Sequence, residues 1–160
     1  MTNAFACSRS IVRVCFMVGG HVLLPAVACA QTLTQIPNLP GGSFMWASAV
    51  SDDGSAVAGD GTIASGDLRA WRWTAAGGLR NLGTVGGATG SSCTAMSGDG
   101  QVVVGSSGTA FDNASKWTSA AGMQTLGALA AGQPSFAFDT NADGSVVVGH
   151  GYLGSGMQRA

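Results

Sequence analysis

Three stretches of the sequence are versions of one another, and they set what the chain can fold into. They read Ser51-Asp-Asp-Gly-Ser-Ala-Val-Ala-Gly59, Ser97-Gly-Asp-Gly-Gln-Val-Val-Val-Gly105 and Asn141-Ala-Asp-Gly-Ser-Val-Val-Val-Gly149. Each places an Asp-Gly pair before a small apolar run and closes on Gly. Asp-Gly favours a tight β-hairpin, because Gly accepts the positive φ that such turns need. A Val-rich run after the turn has the composition of a buried strand.

The Asp-Gly pairs begin at Asp53, Asp99 and Asp143, steps of 46 and 44 residues. Other positions keep step: Leu33, Leu79 and Met123; Ile36, Leu82 and Leu126; Leu39, Val85 and Leu129; Ala70 and Ala114; Trp73 and Trp117. The two-residue difference falls between the closing Gly and the Trp, which predicts a surface loop of variable length there. A period in the mid-forties suits one four-stranded blade of a β-propeller. In the second repeat the expected strands are Ser91–Ser97, Gln101–Gly105, Ala114–Thr118 and Met123–Leu126. Short connections make them antiparallel neighbours. The expected fold is therefore all-β, a β-propeller-like array of four-stranded antiparallel blades. Its units are a leading strand over residues 31–39 and repeats over about 40–85, 86–129 and 130–160.

Residues 1–30 have the pattern of an export signal. Arg9 and Arg13 give a basic start, Val14–Val27 is largely apolar, and Ala28-Cys29-Ala30 offers small residues for cleavage before Gln31. Gly19-Gly20-His21 and Pro25 interrupt the apolar stretch, which argues against a membrane-spanning helix. A lipidated Cys29 is the rival, poorly matched by Ala26-Val27-Ala28. The repeat register begins just past Ala30, in agreement with the cleavage site. The expected location is extracellular or at the cell surface, with the periplasm as alternative. After cleavage only Cys93 remains of the four cysteines, so no internal disulfide forms, and a buried small apolar role is expected for it.

From Gln31 onward eight Asp stand against five Lys or Arg, a net charge of −3, and the chain has no Glu. That is too little positive charge for a nucleic-acid surface. Asp139-Thr-Asn-Ala-Asp-Gly144 matches the first half of a calcium loop. The acidic ligand at the twelfth position is replaced by His150, so a hairpin turn is the better reading. His150 lies beside Gly149 and Gly151 and reads as a loop residue, with no nucleophile and acid to make a triad. Adjacent Asp52 and Asp53 point apart and make no carboxylate pair. No catalytic residue, metal ligand or cofactor follows from these motifs. Among the tryptophans, Trp73 and Trp117 recur and are expected to pack between blades. Trp46 and Trp71 align with Ser92 and Ser115, lack counterparts, and are the candidates for an exposed, ligand-stacking surface.

The assembled repeat resembles the HAF family of extracellular repeats. The resemblance is carried by Leu39-Pro-Gly-Gly42, Ala49–Gly59, Ala70-Trp-Arg-Trp73 and Gly77-Gly-Leu-Arg-Asn-Leu-Gly83, with departures at Val85-Gly-Gly-Ala88 and Leu129-Ala-Ala-Gly132. It covers nearly all of 31–160. It implies a bacterial exported or surface protein, often the passenger of an autotransporter, and brings no catalytic residues. The expected function is a non-enzymatic module binding an unidentified surface ligand. The alternatives are a fragment of a propeller enzyme acting on carbohydrate, and a remnant without function. Residues 149–160 align with residues 59–70, so the third repeat is expected to be incomplete, with about two and a half repeats in all. Val146-Val147-Val148 would then be an open sheet edge prone to self-association.

Overall fold

All three Asp-Gly stretches close hairpins, and the same hairpin built three times organises the protein. The computed structural model describes residues 4–12, 28–109, 112–154 and 156–160. Among these there is no helix, and the strands are β1 (Ala4–Val12), β2 (Ala28–Ile36), β3 (Met45–Val50), β4 (Ala56–Thr62), β5 (Leu68–Thr74), β6 (Gly78–Asn81), β7 (Gly90–Met96), β8 (Val102–Gly108), β9 (Ala114–Thr118), β10 (Gly122–Thr125), β11 (Ser135–Thr140), β12 (Val147–Tyr152) and β13 (Gln158–Arg159). They form antiparallel sheets in simple chain order: β3-β4-β5-β6, β7-β8-β9-β10 and β11-β12-β13, after a separate β1-β2 pair.

The hairpin turns are longer than the tight turn expected. Ser51 N–H donates to Ala56 O at 3.0 Å and Gly54 N–H to Ser51 O at 2.9 Å, with Gly54 at φ 70°. The extra length is stabilised by side chains. Ser51 Oγ accepts the Ala56 N–H at 3.0 Å and donates to Asp53 Oδ1 at 2.7 Å. Ser97 and Asp99 repeat this at 2.9 and 2.6 Å. In the third turn Asn141 Oδ1 takes the Val146 N–H at 2.9 Å. The turns are also joined to each other: Asp52 N–H donates to Gly98 O at 2.8 Å, and Asp99 N–H to Ala142 O at 2.9 Å. Arg72 reaches Gly100 O at 2.7 Å, and Lys116 reaches the equivalent Gly144 O at 3.4 Å.

Each first strand carries a bulge, at Ala47/Ala49, Cys93/Ala95 and Ala137/Asp139. The closing Gly of each hairpin lies opposite it. A Cβ at Gly59, Gly105 or Gly149 would run into the carbonyl oxygen of Trp46, Ser92 or Phe136. That close approach of two backbones explains why Gly recurs there.

The sheets pack face to face, because the apolar run has two usable faces. Ala56, Ala58, Ala70 and Leu82 of the first sheet meet Cys93, Met96, Val103 and Trp117 of the second. Val102, Val104 and Ala114 of the second meet Ala137 and Val147 of the third. On the other face of the first sheet, Val57 and Trp71 pack with Ile36, Leu39 and Met45. The middle residue of each run (Val57, Val103, Val147) thus points back, and its neighbours point forward.

Two sequence expectations are corrected. The two-residue difference between repeats lengthens β5 instead of a loop: β5 has seven residues and β9 five. Leu68 and Arg69 find partners in Thr62 and Gly61, which extends the ladder. The leading strand is Ala28–Ile36, not 31–39, and it pairs along its length with Ala4–Val12, with Ala30 opposite Ser10. The apolar stretch Val14–Val27 lies outside the described residues.

Candidate functional site

One pair of positions carries different chemistry in each sheet. The first and second strands place Trp46 opposite Asp60, Ser92 opposite Ser106, and Phe136 opposite His150. These pairs hold the same register, near the end of each sheet away from the Asp-Gly turns. An identical backbone frame therefore presents an indole–carboxylate, a hydroxyl pair and an aromatic–imidazole pair.

In the first sheet Trp46 Nε1–H donates to Asp60 Oδ2 at 3.1 Å, and Cys93 N–H donates to Asp60 Oδ1 at 2.6 Å. Asp60 is buried. Burial pushes its carboxyl up to about 6, against the pull of these two hydrogen bonds. It thus ties the first sheet to the second. The Cys93 thiol is buried as expected, and burial, helped by Asp60, holds its pKa far above the ordinary thiol range. Such a thiol is inert toward exchange. In the second sheet Ser92 and Ser106 share a hydrogen bond of 2.9 Å.

In the third sheet the pair sits in an aromatic cluster. The His150 ring lies 5.1 Å from Phe136, 4.9 Å from Phe138 and 5.6 Å from Tyr152. Phe138 is 53% exposed, and Val146 and Val148 are 56% and 55% exposed. His150 is a strand residue, not a loop residue, because the Gly149 and Gly151 beside it both continue the β11 ladder. Its Nδ1 is buried without a protein partner.

The two tryptophans read from the sequence as a binding surface separate. Trp46 is 46% exposed and stacks on Phe44 at 5.1 Å between ring centroids. Trp71 is fully buried among Ile36, Leu39, Met45 and Val57, so it is a core residue. It shares a face with Trp73, two residues on, and that face is covered by the Ile36–Leu39 segment. Of the recurring pair, Trp117 is buried and Trp73 half-buried. Both occupy the same ladder position, opposite Val57 and Val103.

Sequence reasoning missed Asp60 and the aromatic cluster. A usable signal was present: positions 46 and 60 depart from the repeat together, as do 92 with 106 and 136 with 150. The half-match to a calcium loop forms the third hairpin turn, where Asp143 Oδ1 accepts the Ser145 N–H at 3.0 Å. Among the described residues no three His, Cys, Asp or Glu side chains converge, and no helix is long and apolar enough to cross a membrane. A scan against models of known protein families finds no match, and a search of curated proteins finds no relative.

Proposed function

We propose that the chain is an exported, non-enzymatic repeat module of the β-propeller type, a HAF-like repeat protein that binds or displays a ligand outside the cell. The observation that carries this reading is the series of variable cross-strand pairs on an otherwise repeated frame. Repeat proteins place recognition on positions that vary while the stacking positions stay fixed. Here the variable positions and their neighbours carry aromatic groups, Trp46 with Phe44 on the first sheet and Phe136, Phe138, His150 and Tyr152 on the third, of which Trp46 and Phe138 are exposed and the others half-buried. Aromatic platforms of this kind suit a ligand with a flat apolar face, such as a sugar ring. Asp60, the one buried carboxylate among the described residues, has both oxygens engaged in structural hydrogen bonds, one to Trp46 across β3 and β4 and one to Cys93 of the next sheet, which fits a scaffold better than a catalyst.

A glycan array probed with the full chain and with Trp46→Ala and Phe138→Ala tests the binding. The reading expects a discrete set of glycans retained by the native protein and lost by a variant of unchanged circular dichroism. Retention of nothing, or equal retention by both variants, contradicts it. Export is tested separately by N-terminal sequencing of secreted material, with Gln31 as the expected first residue.

A further inference from the structure

Two guanidinium groups stand opposite each other on the first sheet, and no carboxylate joins them. Arg72 of β5 is the cross-strand partner of Arg80 of β6, so both side chains leave the same face. That face is turned to the second sheet. Arg72 Nε–H donates to Gly100 O of the second turn at 2.7 Å. The Arg80 guanidinium lies over the Trp117 ring, 5.0 Å from its centroid.

Like charges directly opposite each other weaken a sheet. Burial, and then the charge of Arg80, lower the Arg72 pKa from its ordinary value, against the pull of Asp99. Asp99 does not pair with either arginine. Its Oδ1 accepts the Ser97 hydroxyl at 2.6 Å and the Gln101 N–H at 2.9 Å. The single ion pair among the described residues is Arg69 with Asp67. Among the same residues the terminal nitrogens of Arg72 make no hydrogen bond, and Arg80 makes none at all. The Gly100 contact accounts for a cation at position 72, and the Trp117 ring for one at position 80. Neither accounts for two opposed guanidiniums with no acid. The second sheet shows that the frame does not require them, because the equivalent pair there is Lys116 and Gln124. Lys116 makes the matching turn contact, to Gly144 O at 3.4 Å.

We propose that Arg72 and Arg80 form a site for a tetrahedral oxyanion, a phosphate or sulfate group. Guanidinium forks match the oxygens of such a group in pairs, and a doubly charged anion offsets both cations at once. Gly100 O and the Trp117 face hold the two forks in place before the anion arrives. The group is a free ion or an ester carried by a larger molecule. The site does not depend on which ligand the aromatic groups take.

The test titrates the full chain with inorganic phosphate, sulfate, acetate and phenyl phosphate in turn, at constant low ionic strength. The arginine Nε–H signals report binding by NMR. Saturable shifts are expected at Arg72 and Arg80 with phosphate and sulfate. Acetate should bind more weakly. Arg80→Gln copies the second sheet's pair at an exposed position. It should weaken phosphate binding at least about tenfold at unchanged circular dichroism, the weight of one charge-assisted hydrogen bond. Arg72→Lys keeps the charge but loses the fork, and should also weaken binding. Arg159→Gln, outside the pair, should leave it unchanged. Phenyl phosphate binding tighter than free phosphate identifies an ester as the occupant, and equal or weaker binding identifies the free ion. Shifts that do not saturate, acetate binding as tightly as phosphate, or full affinity in Arg80→Gln each overturns the proposal.

Discussion

Trp46 and Asp60 face each other across β3 and β4, joined from Nε1 to Oδ2 at 3.1 Å, and the other carboxylate oxygen holds the Cys93 N–H of the next sheet at 2.6 Å. This carboxyl has its folded pKa raised from 3.8 to about 6. A raised acid binds more protons folded than unfolded between those values, so its contribution is full below about pH 4 and is lost as pH rises through 6. The difference is roughly 3 kcal/mol at most, from about two pH units at 1.36 kcal/mol each. Urea titrations should find the protein more stable near pH 4.5 than at pH 7, and Asp60→Asn should flatten that slope. A wild-type profile level between pH 4 and 7 would contradict the burial of an ionisable Asp60.

The turn carboxylates act in the opposite direction. Asp53 is lowered to about 2 by the Ser55 N–H and the Ser51 hydroxyl, and Asp99 and Asp143 are lowered by their own Ser and backbone partners. A lowered acid stabilises above its unfolded pKa of 3.8 and loses that effect as pH falls further. Stability should therefore pass through a maximum between pH 4 and 5. Asp53→Asn should reduce the loss on the acid side, and an unchanged acid limb in that variant would refute the assignment.

The tryptophans should rank by position, not by recurrence. Trp71→Ala and Trp117→Ala empty fully packed sites and should each cost about 3–5 kcal/mol. Trp73, half-buried beside Leu79, should cost roughly half as much. Denaturant midpoints for the three variants measure the order. A Trp71→Ala protein as stable as the wild type would place Trp71 at the surface.

Ser97 and Asn141 make the same turn bond in different surroundings. Ser97 Oγ satisfies the Val102 N–H at a buried turn, whereas Asn141 is exposed. Ser97→Ala leaves a buried donor unpaired and should cost about 1–3 kcal/mol. Asn141→Ala lets water replace the lost acceptor and should cost under about 1 kcal/mol. Equal losses would show that burial does not separate the two turns.

Much of this architecture is legible in the residues. Asp-Gly plus a Val run fixes a hairpin and a buried strand, and the four strands expected in the second repeat lie within three residues of β7 to β10 at every boundary. Strand β8 runs on to Gly108 because Ser106, Ser107 and Gly108 find partners in Ser92, Ser91 and Gly90, which no propensity announces. Trp71 was misread for a related reason. A tryptophan without a repeat counterpart reads as exposed, yet the face it shares with Trp73 is covered by Ile36 and Leu39, residues distant in sequence. Asp60 was invisible as a single acid. It becomes legible only when position 46 is read opposite position 60, which requires the ladder register.

Hydrogen exchange resolved along the chain tests the central claim most directly, that one repeat unit builds successive sheets packed face to face in a shared register. The second strands Ala56–Thr62 and Val102–Gly108 are paired on both sides and buried, and their amides should be the slowest in the protein. Val147–Gly149 has nearly the same sequence as Val103–Gly105 but, among the described residues, is paired on one side only, and should exchange markedly faster. Slow exchange in β4 and β8 with fast exchange in β12 is the predicted result. Equal protection of all three runs, or fast exchange in β4 and β8, would contradict the account.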